Sequence, residues 1–358
     1  MSFSDAPISF PGLFGDWQFT VPSKALNIGN GIYWYGIIIA AGMLLGLYFC
    51  MKQAPKYGLS EDNIIDTVLW VIPFSIIGAR IYYVLFYLDL FRGSDGSINW
   101  SSTYRIWDGG LAIYGGVIAG FLTAYLFSRR RKISFWALAD CCVQGLFIGQ
   151  AIGRWGNFMN REAFGAATEL PWRMRLWTSA TTYMDVHPTF LYESLWNVIG
   201  LLLLYFVVSR ARRFDGENTC FYFIWYGLGR FWIEGLRTDS LLIGNTGLRA
   251  SQLVAIGSVI AAAMLLIIGL RNAKGKQLQV TLAVSDIKKQ AEAGNRFTPD
   301  TLPANAPHAD FVKATDEMNR RLKDLDLDAP EIEELEDPAP ETTEAPKPTE
   351  NATVEAEA

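Results

Sequence analysis

The 358-residue chain is 51% hydrophobic and 19% charged, and the two kinds are segregated into long apolar blocks and a polar C-terminal end. That segregation belongs to a membrane protein and excludes one soluble domain around one core. The formal net charge of -5 carries little information about partners, because the acidic run after Asp324 supplies much of the negative charge.

Residues 1–31 lack a basic start followed by an apolar core, so they read as an external N-terminal segment, and the first helix is its own insertion signal. A spanning helix needs about 20 mostly apolar residues. The run Ile32 to Cys50 qualifies without any ionised group. Six more candidates follow, roughly Ile64 to Leu88, Gly110 to Phe127, Ile133 to Phe158, Pro188 to Val208, Thr219 to Leu236 and Ser251 to Leu270. The expected fold is an all-α integral membrane protein: a bundle of seven transmembrane helices over 32–271, a small external head segment at 159–187, and a largely disordered cytoplasmic tail at 272–358.

Lys and Arg gather in alternate connections: Lys52 and Lys56, then Arg129 to Lys132, then Arg210, Arg212 and Arg213, then Arg271, Lys274 and Lys276. Those connections belong to the cytoplasmic side. Seven spans then put the N-terminus outside and the C-terminus inside, with loops 89–109, 159–187 and 237–250 external. Cys50, Cys141, Cys142 and Cys220 fall in or beside apolar segments, without zinc or disulfide spacing, and read as small buried side chains.

An ionised group in hydrocarbon costs several kcal/mol unless it is paired or wet. Placed by depth, Tyr35, Arg80, Tyr114, Arg154, Asn157, Asn160, His187, Glu193, Arg230, Glu234 and Arg237 collect at the outer ends of their helices. A single arginine there is ordinarily a snorkelling anchor. Several from different helices are harder to dismiss, and Arg230, Glu234 and Arg237 share one helix face at i, i+4 and i+7. Asp66 and Asp140 lie toward the cytoplasmic ends and read as solvated or paired. The glycines of the third and fourth helices read as close packing alone.

The stretch Gly153-Arg154-Trp155-Gly156-Asn157-Phe158-Met159-Asn160-Arg161-Glu162-Ala163-Phe164-Gly165 resembles the signature of prolipoprotein diacylglyceryl transferases, G-R-x-G-N-F-x-N-x-E-x-x-G, at every fixed position. Further matches stand in the same order: Trp34-Tyr35-Gly36, Gly78-Ala79-Arg80-Ile81, Trp107-Asp108-Gly109-Gly110, His187-Pro188-Thr189 with Leu191-Tyr192-Glu193, Arg230-Phe231 with Glu234 and Arg237, and Ser251-Gln252. Together they cover about residues 30–270. Two positions depart from the pattern: Tyr114 stands where many members have His, and Phe190 replaces the frequent Gln.

The resemblance implies a multi-pass enzyme of the bacterial cytoplasmic membrane. In the implied reaction the lipobox cysteine thiol of a prolipoprotein displaces phosphate at a glyceryl carbon of phosphatidylglycerol, giving a thioether and glycerol phosphate. It implies no cofactor, no metal and no nucleic-acid partner; the partners are phosphatidylglycerol, the lipobox segment and the bilayer.

Arginine suits the departing phosphate, because its planar fork binds two oxygens and stays charged in a low dielectric. Arg154 and Arg230 are assigned to it. Glu234 either fixes the Arg230 guanidinium or takes a proton. The thiol, with a free pKa of about 8.5, has no evident base. Nearby arginines could lower its pKa, with Tyr114 or Glu234 as relay, while His187 is either a structural residue or the base. Asn157, Asn160 and Glu162 are expected at the head group or the peptide, although both asparagines could equally cap the fourth helix. Tyr35, Arg80 and Arg237 complete the expected substrate-binding set. The rivals are an anion transporter, which would carry polar groups through both leaflets or inverted repeats, and a metal-dependent lipid transferase, which would show grouped carboxylates.

The tail turns polar after 272 and, from Asp324, is rich in Glu, Asp, Pro and Ala, too poor in apolar side chains to offset chain entropy. Phe311 to Leu327 is its one candidate local helix.

Overall fold

The computed structural model describes residues 6–15, 17–20, 22–26, 31–92, 96–179, 181–238 and 249–273. The expected acidic tail from 274 onward, with its candidate helix at 311–327, and most of loop 237–250 lie outside the described residues.

Each of the seven apolar segments is helical, within a few residues of the expected limits: α1 Trp34–Gln53, α2 Glu61–Phe86, α3 Ile113–Arg131, α4 Phe135–Asn160, α5 Thr189–Leu203, α6 Glu217–Leu236 and α7 Ala250–Ala273. Serine side chains start two of them by accepting a backbone N–H of the first turn: Ser60 from Asn63 at 3.1 Å and Ser134 from Ala137 at 3.2 Å. Glu61 and Asp62 add negative charge at the positive end of α2. α5 continues as a π-helical turn, Leu204–Val208, and a 3-10 turn, Ser209–Ala211.

Among the described residues, five helices are long and apolar enough to cross a membrane: Trp34–Tyr57, Glu61–Phe86, Phe135–Asn160, Thr189–Ala211 and Ala250–Ala273. α3 and α6 fall outside that group. α3 holds three glycines and ends in Arg129, Arg130 and Arg131, while α6 carries Glu217, Arg230 and Glu234. Large apolar side chains such as Leu44, Leu69, Leu122 and Ile268 stand half or more exposed on the helices, as a lipid-facing surface requires.

α1 and α4 run antiparallel in close contact because both surrender side chains at the seam: a Cβ on Gly46 would sit 2.7 Å from the Gly145 carbonyl oxygen. At the opposite end from the basic connections lies a small sheet that an all-α expectation does not contain. β1 (Ile8–Ser9) pairs antiparallel with β2 (Gln18–Phe19) and with β5 (Met174–Trp177), which pairs with β6 (Tyr183–Val186). A separate pair joins β3 (Lys24–Leu26) to β4 (Ile32–Tyr33). Strands of two to four residues are too short to show a period of two, which is why the pattern misses them.

Ile8, Phe10, Met174, Leu176 and Val186 bury one face of the four-stranded sheet against Phe190, Phe158 and Phe164. The N-terminal segment and residues 161–187 therefore form one head seated on α4 and α5. Asp185 binds the head together. It accepts from Arg175 Nε and Nη2, both at 2.7 Å, and from Arg173 Nε at 2.9 Å. These guanidiniums, Arg175 first, hold its carboxyl below the ordinary range.

Candidate active site

α4, α5 and α6 deliver their charged residues to one point at the head end of the bundle. Its centre is Glu193, one turn into α5 and 5% exposed. Arg154 Nη2 of α4 lies 2.5 Å from Glu193 Oε2. Arg230 Nη1 of α6 donates to Glu193 Oε1 at 3.2 Å, and Arg237 Nη1 stands 3.7 Å from the same oxygen. Arg230 also pairs one turn onward with buried Glu234, Nη2 to Oε2 at 2.7 Å. Three guanidiniums thus share two carboxylates. A buried carboxylate is tolerable only when paired, and here both carboxylates are held by arginines delivered from different helices.

The chain beyond α4 is laced to this centre by backbone. Arg161 adopts the left-handed conformation that closes α4. Asn157 Nδ2 and Asn160 Nδ2 donate to Glu162 Oε1 at 2.9 and 3.3 Å, so one carboxylate ties the helix end to the following turn. Gly165 N–H donates to the His187 carbonyl at 3.0 Å, Ala166 N–H donates to Leu236 at 2.7 Å, and the Thr189 hydroxyl donates to the Ala163 carbonyl. Gly165 is needed because a Cβ there would lie 2.7 Å from His187 Cβ and 3.1 Å from the Leu236 oxygen. His187 Nδ1 is 3.2 Å from Tyr192 Oη, which accepts from Trp172 Nε1 at 2.8 Å.

Arg154 faces two ways. Besides Glu193 it reaches Asn157 Oδ1, Nη1 at 3.5 Å, and with Asn157 and Tyr35 it forms the polar end of a cavity of about 610 Å³. The remaining wall is almost wholly apolar, built by α1, α2 and α4, with Ala124 from α3, and includes residues such as Ile39, Met43, Val68 and Ile72. Tyr35 and Cys50 both line it, and at 1.5 Å per residue they lie about 22 Å apart along α1. A volume in the usual small-molecule range of about 300–1,000 Å³, charged at one end and oily along its length, has the form of a site for an amphiphile with an anionic head.

Arg80 is placed differently. Its guanidinium donates to four backbone carbonyls, Ser102 at 2.7 Å, Thr103 and Gly109 at 2.6 Å each and Gly110 at 2.9 Å, and it lies against the Phe91 ring. Tyr114 is partly exposed on the first turn of α3. Among the described residues, no hydrogen bond or ion pair joins Arg80 or Tyr114 to the Glu193 cluster. No group of three or more His, Cys, Asp or Glu side chains among them is placed to hold a metal. The cysteines are free; Cys50, Cys141 and Cys220 are buried and Cys142 is half-buried. Asp66 pairs with Arg131, and Asp140 is enclosed, accepting from the N–H groups of Gly216 and Thr219.

Glu193 is gathered with the outer-end polar groups by the sequence reading but given no catalytic or binding role there. A carboxylate at a helix entrance within hydrocarbon reach signals that it needs a partner, but which arginines meet it is decided by the packing of α4, α5 and α6.

A family model described as prolipoprotein diacylglyceryl transferase matches residues 23–268. Proteins named phosphatidylglycerol–prolipoprotein diacylglyceryl transferase are similar along most of their length. The one from Geobacillus kaustophilus is 44% identical over 251 residues, 68% of this chain and 90% of the relative. That from Finegoldia magna is 44% identical over 237 residues, 66% and 91% of the two chains. That from Bacillus velezensis is 44% identical over 251 residues, 68% and 89%.

Proposed function

The chain belongs to the prolipoprotein diacylglyceryl transferase family, and from that premise we propose that it moves the diacylglyceryl group of phosphatidylglycerol onto the lipobox cysteine of prolipoproteins, the first step of lipoprotein maturation. Its apolar helices and its family make it an integral protein of the bacterial cytoplasmic membrane. The observation that carries the reading is the cavity with Arg154 at its polar end and about 22 Å of apolar wall behind it.

The substrate thiolate attacks the glyceryl carbon that bears the phosphate ester. A C–S bond forms, the C–O bond breaks with its electron pair on the phosphate oxygen, and the thiol proton leaves with glycerol phosphate or through a relay. Charge grows on the phosphate as the bond breaks, so fixed guanidiniums gain strength in the transition state. Arg154 and Arg230 take that role, and Glu193 between them sets their spacing and keeps both forks pointed at one place. Arg237, at 3.7 Å from Glu193, steers and completes the field. Asn157, Asn160 and Glu162 hold the turn that rims the polar end, and Tyr35 closes the wall beside the head group. His187 acts with Tyr192 in tying the head to α5. Glu234 or Tyr114 relays the thiol proton. Arg80, saturated by carbonyls, orders residues 102–110 and leaves its expected part in substrate binding to that segment.

Basic connections on one side support seven spans, with the head, the N-terminus and loops 89–109, 159–187 and 237–250 outside and the tail in the cytoplasm. The deciding experiment is mass spectrometry of a lipobox peptide incubated with purified protein and phosphatidylglycerol. A diacylglyceryl adduct on the cysteine is expected; an unmodified peptide under conditions that retain the folded protein sinks the proposal.

A further inference from the structure

At the far end of the bundle from Arg154 a second cavity, about 150 Å³, opens between the end of α1 and the segment joining α5 to α6. It offers roughly ten times the space one water requires. Gln53, Lys56, Tyr57, Ser209, Arg210 and Arg212 line it. We propose that this cavity is an anion site that takes a phosphate group, supplied by an anionic phospholipid of the cytoplasmic leaflet.

Three cations converge there, and they are held in different ways. Arg212 is anchored by Asp140 and Asp215, at 3.7 and 3.8 Å, with its guanidinium 4.5 Å from the Tyr57 ring centre. The Lys56 ammonium lies 5.2 Å from the Tyr205 ring centre and Arg210 lies 5.4 Å from that of Phe206. Among the described residues, no carboxylate lies within ion-pair distance of Lys56 or Arg210. Aromatic faces steady both charges without neutralising them.

Tyr57 ties the cavity wall to the buried interior. Gln144 Nε2 and Asn218 Nδ2 both donate to the Tyr57 hydroxyl, each at 2.8 Å, within a buried network. The hydroxyl in turn donates to Ser209 Oγ at 3.4 Å, which fixes Ser209 at the cavity lining. The backbone also departs from a plain helix at this point. The π-helical turn Leu204–Val208 and the 3-10 turn after it turn Ser209 and Arg210 toward the cavity, and such irregular turns recur at functional sites.

The positive-inside tendency accounts for basic residues in this connection but not for their convergence on one cavity. The lipid source follows from the surroundings. Phe206 and Val207, on the same turn, stand more than half exposed as part of the lipid-facing surface, so a head group in the cavity would keep its chains beside them. Gln53 and Tyr35 lie 18 positions apart on α1, about 27 Å; the charged ends of the two cavities are therefore separate, and this one does not rest on the transfer reaction.

The test counts bound lipid by native mass spectrometry of the full-length protein with short-chain phosphatidic acid, with phosphatidylcholine of the same chains, and with inorganic phosphate alone. The wild type should retain one more phosphatidic acid than Lys56→Gln/Arg210→Gln. The affinity of that additional molecule should drop about tenfold or more in the double variant, whose transfer activity stays at the wild-type level. Phosphatidylcholine should not fill the site. Equal phosphatidic acid binding by wild type and double variant overturns the proposal, as does phosphatidylcholine occupying the site equally well. If inorganic phosphate alone binds with the same dependence on Lys56 and Arg210, the phosphate chemistry stands and the lipid source is wrong.

Discussion

Replacing Arg154 with lysine isolates the contribution of the guanidinium fork from that of charge. In the structure one arm of Arg154 is spent on Glu193 at 2.5 Å, while the other makes only a long 3.5 Å contact to Asn157 Oδ1 at the head end of the cavity. A lysine ammonium can satisfy Glu193, which at 5% exposure would otherwise be left charged in a dry site. It then has no second planar donor for phosphate. The fold and lipid binding should persist while turnover falls. Loss of one preorganised donor costs about 2.7–4 kcal/mol of barrier; a partial replacement by ammonium leaves at least the roughly 1.4 kcal/mol of a tenfold loss. Arg230→Lys should behave likewise, because Arg230 also divides its fork between two carboxylates. Arg237, whose 3.7 Å approach to Glu193 Oε1 is too long for a direct hydrogen bond to that carboxylate, should tolerate lysine better. The assay is the initial rate of diacylglyceryl transfer to a lipobox peptide at saturating phosphatidylglycerol, beside a thermal-stability measurement. If Arg154→Lys and Arg230→Lys both turn over at near wild-type rates, these arginines are structural ion-pair partners and the phosphate assignment fails.

Gly165→Ala should lower thermal stability by about 1–3 kcal/mol, the usual range for overpacking, because the new Cβ meets His187 Cβ at 2.7 Å; an unchanged unfolding midpoint would show that the turn yields freely. Asp185 contributes stability that is fully present above its unfolded pKa of about 3.9 and is lost as pH falls through its depressed folded value. The wild type should therefore lose its stability advantage over Asp185→Asn only below about pH 4, and a gap that persists well below that argues against the Arg175 and Arg173 pairing. Membrane-impermeant thiol reagents added from outside should modify Thr178→Cys but neither Arg130→Cys nor Arg212→Cys; modification at position 130 would reverse the orientation. Truncation at about residue 290 should leave insertion and transfer rate nearly unchanged, since the acidic composition beyond it offers little apolar area to bury, and loss of activity in correctly inserted protein would refute that.

Much was legible along the chain because a bilayer demands runs of apolar residues, and such runs show without knowledge of tertiary contacts. The seven helices, the one-sided gathering of Arg154, Arg230, Glu234 and Arg237, and the motif from Gly153 to Gly165 all stand in the sequence order itself. Helical spacing placed Arg230 beside Glu234, and the structure pairs them. What lies between helices was not legible. Glu193 as the shared partner of three arginines depends on how α4, α5 and α6 pack. The capture of Arg80 by four loop carbonyls depends on where residues 102–110 fold back. The head sheet joins Ile8 to Leu176 across 168 positions, a pairing that two-residue strands cannot announce. Local pattern reports burial and period; only packing decides which of several buried charges meet, because each has more than one partner within reach until the helices are docked.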